Sequence, residues 1–139
     1  MTDSLNKDFE IWIDDALAAV AVSDVAAFNF NIYEEVDAFS VELIGASSFD
    51  EEDSDWACDD ILDLNVQRFR VPRQAAGSEW RCALAKVHEW LVAYLASGGI
   101  GAVRLKESEA VAVGFVDGDL ELVWRKAQPS IQADAFGSA

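Results

Sequence analysis

Histidine occurs once in the 139 residues, methionine once, cysteine and proline twice each. A single histidine rules out a multi-histidine metal centre. The two cysteines, Cys58 and Cys82, lack the paired spacing of a zinc site and do not form a disulfide framework. No apolar run approaches the ~20 residues that a membrane-spanning helix requires, and no signal-peptide pattern opens the chain. A reduced, cytoplasmic protein with no membrane association is the expectation. Basic residues are nearly missing from the first half: residues 1–67 hold 18 of the 26 acidic residues and one base, Lys7. The second half is close to neutral, so the net charge of −16 is a property of one region. Halophilic adaptation would spread acids over every surface, so it does not account for this. Such a field repels nucleic-acid phosphates and attracts basic proteins or cations.

What the chain does have is apolar material for one core. It is 52% hydrophobic, with five Trp and eight Phe, and a single domain of this length buries roughly 70% of its unfolded surface. Residues 5–20 carry Phe9, Trp12, Ile13, Ala16, Leu17 and Val20 at helical spacing, with Asp3 or Ser4 as the cap. The period then changes to two. Phe28, Phe30 and Ile32 form one strand face; Phe39, Val41 and Leu43 form the next, and the two strands read as a hairpin. Val66 to Val71 is a third strand, stopped by Pro72. Ser78 caps a second helix whose stripe is Trp80, Leu84, Val87, Leu91, Tyr94 and Leu95, ended by Gly98 and Gly99. Gly101 to Leu105 reads as a short strand. Two strands around Asp117-Gly118 form a further hairpin. Trp12, Trp80 and Trp124 read as core, whereas Trp90 has no clear place. The predicted architecture is α+β: a single domain over 1–126, a mostly antiparallel sheet with two amphipathic helices on one face, and a loosely held tail over 127–139.

The most unusual stretch runs from Ser47 to Asp63. It contains eight carboxylates, no Lys or Arg, and Trp56 at its middle. Like charges at this density oppose any compact state unless solvent, a cation or a basic partner offsets them. A helical turn is expected around Asp59 to Asp63. No calcium loop of the EF-hand kind fits. Begun at Asp53, the loop meets Ala57 and Cys58 at positions five and six; begun at Asp50 or Glu51, it has Asp55 or Trp56 where glycine is needed. Trp56 has two readings, a core anchor pinning the segment or an exposed contact inside a charged rim. Arg68, Arg70 and Arg73 are expected to pair with the acidic segment rather than bind an anion.

Catalytic signatures are missing. His88 reads as a partly buried imidazole with a polar partner, no nucleophile elbow exists, and acids around Cys58 disfavour its thiolate. Gly98-Gly99-Ile100-Gly101 follows a helix instead of opening one, which makes it a helix stop and not a phosphate cradle. The chain is therefore expected not to be an enzyme and to need no cofactor.

In its layout, the acidic loop Phe49-Asp50-Glu51-Glu52-Asp53-Ser54-Asp55-Trp56 with the hairpin Gly114-Phe115-Val116-Asp117-Gly118-Asp119, the chain resembles the small acidic immunity proteins that bacteria pair with polymorphic or contact-dependent toxins. The resemblance implies neutralisation of a basic toxin, often a nuclease. On the charge layout, the expected partner-binding residues are Asp50, Glu51, Glu52, Asp53, Asp55, Trp56, Asp59 and Asp60. A small-ligand or metal-binding module and an acidic accessory subunit are the alternatives.

Overall fold

Alternating apolar and polar residues in 27–46 predict two strands sharing one buried face, and the computed structural model has them as β1 (Ala27–Glu34) and β2 (Ala38–Ala46). The structure describes residues 2–18, 25–50, 52, 56, 61–62, 67–73, 79–115 and 120–126. The other elements are α1 (Thr2–Ala18), β3 (Ile61–Leu62), β4 (Phe69–Pro72), α2 (Trp80–Ser97), α3 (Ile100–Leu105), β5 (Ala110–Phe115) and β6 (Glu121–Arg125). The predicted tail over 127–139 and the turn at Asp117-Gly118 lie outside the described residues. Among those described, no helix is long and apolar enough to cross a membrane.

Among the described residues, six strands make one sheet. β1 is central, antiparallel to β2 on one side and parallel to β5 on the other, and β6 closes the β5 edge antiparallel. β3 and β4 share the outer edge of β2: β4 pairs with its first half and β3 with its last two residues. This is an α+β domain with a mostly antiparallel sheet. Ile61 and Leu62 were expected near a helical turn, but they extend the ladder of β2 opposite Ala46 and Gly45. A strand is favoured here because it pairs backbone groups that the end of β2 would otherwise leave open.

One face of the sheet carries the main core. Phe28, Phe30 and Ile32 of β1, Phe39, Val41 and Leu43 of β2, and Val111 and Val113 of β5 meet Phe9, Ile13 and Leu17 of α1 and Val87, Leu91 and Leu95 of α2. Phe9 is the hub, within 5.3 Å of both Phe69 and Trp90, ring centre to ring centre. Each such fully buried side chain contributes about 1.5–3 kcal/mol of hydrophobic stabilisation. Trp12 lies beside it, half-buried, and donates Nε1–H to the carbonyl of Gln67 at 2.8 Å.

Two features of the helical layer depart from expectation. Gly101 to Leu105 is helix, not strand. Gly98 ends α2 in a left-handed turn at φ 77°, Gly99 is extended, and burial of Gly101, Ala102 and Leu105 follows a helical period. The short helix closes on the end of α1, where Arg104 donates to the Leu17 carbonyl at 2.9 Å. Secondly, α2 is rolled relative to its predicted stripe. Ala83, Val87, Trp90, Leu91, Tyr94 and Leu95 face inward, while Trp80 is 46% exposed and Leu84 only half-buried. Trp90, not Trp80, is the tryptophan of this helix that enters the core, against Phe9.

Candidate binding surfaces

Strand register puts small residues abreast on the sheet face away from the helices. Ala46, Ala27 and Ala110 are consecutive partners across β2, β1 and β5, and Arg125 of β6 is the next residue in that row. Four side chains, those of the three alanines with Ala112, leave a shallow floor. Trp56 fills it. Its indole is 5% exposed, and Phe49 packs edge-on against it at 5.2 Å and 71°. Leu120 borders the same cluster. The Arg125 guanidinium sits 5.5 Å from the Phe49 ring centre, a cation–π contact at the rim.

Two aromatic side chains therefore fasten the acidic segment to the sheet. Asp50 and Glu52, between them, are exposed. The Asp50 carboxylate accepts the Glu52 backbone N–H at 2.9 Å, which sets a tight local turn. Of the two readings of Trp56, burial selects the core anchor. Trp56 holds the surface in place and is not itself a contact offered to a partner. Glu51, Asp53, Asp55, Asp59 and Asp60 lie outside the described residues.

The arginines after this segment are engaged elsewhere. Arg70 pairs with Asp37 of the β1–β2 connection at 2.9 Å and Arg73 with Glu34, the last residue of β1, at 3.1 Å. Arg73 also donates to the Glu35 carbonyl at 2.7 Å. The Arg68 guanidinium sits over the Tyr33 ring, 3.7 Å from its centre, and the Tyr33 hydroxyl donates to Glu42 at 2.7 Å. Among the described residues, the pairing of these arginines is with the hairpin and not with Asp50 or Glu52. Antiparallel register brings β4 alongside Ala38 to Val41, next to the hairpin tip, and sequence proximity does not reveal that. Among the described residues, the ion pairs leave Asp50 and Glu52 without a basic partner.

A second concavity lies on the helix-bearing side, between the first half of α2 and the start of β6. It encloses about 520 Å³ and is lined by Trp80, Arg81, Leu84, Ala85, His88, Glu89 and Glu121. Trp80 stands edge-on to Phe115 at 5.7 Å, and Phe115 is edge-on to Phe39 of the core at 6.0 Å. His88 has the polar partner expected of it, but across the fold: Nδ1–H donates to Glu121 Oε1 at 2.8 Å.

The chain matches no family model, no curated protein and no solved structure.

Sequence reasoning missed the Trp80 concavity because the indole was assigned to the core. A signal was present: Trp80, Leu84 and His88 recur every fourth residue beside Arg81 and Glu89, which places polar groups along one border of the stripe. Glu121 had no local signal, since only the β5–β6 pairing brings it to α2.

Proposed function

We propose that the chain is an immunity-type inhibitor that binds a basic toxin domain in the cytoplasm through the acidic surface around Asp50 and Glu52, and that it catalyses no reaction of its own. The observation that carries this reading is the double anchoring of the segment: Phe49 and Trp56 pack over the alanine row while Asp50 and Glu52, between them, face solvent. A segment of purely solvating acids has no need of a buried tryptophan. One that presents charge to a partner gains from being held, because a surface ordered beforehand loses less freedom on binding. The regional excess of acids supplies the attraction. Steered encounters of this kind reach on the order of 10⁸ M⁻¹s⁻¹ at low salt and slow as ionic strength rises.

The test is to capture the partner from the source cells, identify it by mass spectrometry, and measure its association by stopped flow. A basic toxin domain whose association rate drops at least about tenfold between low and physiological salt is the expected result. A partner that is not basic, or an association rate indifferent to salt, overturns the reading.

A further inference from the structure

The concavity beside α2 lies on the opposite side of the sheet from Trp56. Glu121 pairs in register with Val113, whose side chain is in the main core under the helices, whereas Trp56 sits on the alanine face. It is therefore a separate surface. Its composition combines three features. The first is an aromatic wall: Trp80 is half-exposed yet fixed from behind by Phe115, with Leu84 beside it. The second is negative charge at the far end: Glu121 gives one carboxylate oxygen to His88, and Glu89 is exposed next to it. The third is an internal cation on that wall, the Arg81 guanidinium, 5.0 Å from the Trp80 ring centre. An indole with carboxylates a short distance beyond it suits a group with an apolar stem and a positive head.

From these features we infer that the concavity is a docking site for a Lys- or Arg-bearing segment of an extended peptide. The stem lies along Trp80 and Leu84, and the charged head reaches Glu121 and Glu89. The charge balance favours this occupant, since the lining has two carboxylates against the one guanidinium of Arg81. Arg81 is exposed and can leave the indole face to the incoming cation, so it acts as a competitor of the ligand. The proposal stands independently of the acidic segment.

The experiment uses the full chain labelled with ¹⁵N and the peptide acetyl-Leu-Lys-Leu-amide as probe, with acetyl-Leu-Glu-Leu-amide as control. The lysine peptide is expected to give saturable shifts at the Trp80 indole N–H and at the amides of Leu84, His88 and Glu121. Trp80→Ala weakens it by about tenfold, and Glu121→Gln, which keeps the fold and the shape, by about threefold. Arg81→Ala tightens it, because the competing cation is gone. Three results would overturn the site: no saturation by about 10 mM, a range beyond millimolar affinity; equal shifts with the glutamate peptide; or shifts confined to Asp50 and Glu52.

Discussion

Tyr94 of α2 donates its hydroxyl hydrogen to Asp14 of α1 at 2.5 Å, and Gly101 of α3 sits against both groups. Three helices thus meet at one hydrogen bond. A methyl group at Gly101 would overlap the Tyr94 hydroxyl and the Asp14 carboxylate, so glycine is required here by space and not by backbone conformation.

Gly101→Ala should accordingly lower stability by about 1–3 kcal/mol through overpacking. Tyr94→Phe removes the atom that the new methyl strikes first, so the double variant should lose less than the sum of the two single losses. Urea denaturation of all four species measures the difference. Strict additivity would show that Gly101 is not in contact with this hydrogen bond.

The same junction sets an alkaline limit. Burial pushes the Tyr94 hydroxyl well above its ordinary range, and the hydrogen bond to Asp14, the charge of Asp14 and that of Glu10 push in the same direction. The folded state therefore keeps a proton that the unfolded chain releases near pH ~10. Stability from this group is fully present below that pH and falls above it, at up to about 1.4 kcal/mol per pH unit. Between pH 9 and 11, a range of about two units around that release, the melting temperatures of wild type and Tyr94→Phe should keep a constant offset in the lower half and change relative to each other only in the upper half, where the wild type alone loses this contribution. Parallel curves would contradict the assignment.

The two tryptophans should behave in opposite ways. Trp56→Ala empties the floor over Ala27, Ala46 and Ala110 and should cost about 3–5 kcal/mol, with easier proteolysis between Phe49 and Ile61. Trp80→Ala removes a half-exposed ring and should cost about 1 kcal/mol or less. Thermal melts and limited proteolysis of the pair check this. A mild Trp56→Ala would mean that the acidic segment is not fastened by that indole.

Neutralising Asp50 and Glu52 together, to Asn and Gln, should slow association with the proposed basic partner several-fold and leave dissociation nearly unchanged, because exposed charges act at long range. The double variant should also lose part of the salt dependence. If dissociation changes instead, these carboxylates make close, desolvated contacts and are more than steering charges.

Periodicity was enough to read the α+β class, the β1–β2 hairpin, α1, α2 and the inward faces of the central strands. Each of those follows from which side chains leave water, and that is written locally. Other features depended on partners distant in the chain. Ile61 and Leu62 became strand because the end of β2 was open to pair with them. Residues 101–105 became helix because two glycines turned the chain back onto the end of α1. The roll of α2, with Trp90 inward and Trp80 outward, was set by the packing surface under the helix, which no stripe of its own specifies. Arg70 and Arg73 reached Asp37 and Glu34, more than 30 residues away, through strand register. The sequence by itself determined where the negative charge lies, since composition needs no fold. Whether Trp56 faces solvent or protein was decided only when three strands set Ala46, Ala27 and Ala110 side by side, because a floor shallow enough to take an indole exists in the assembled sheet and in no single strand.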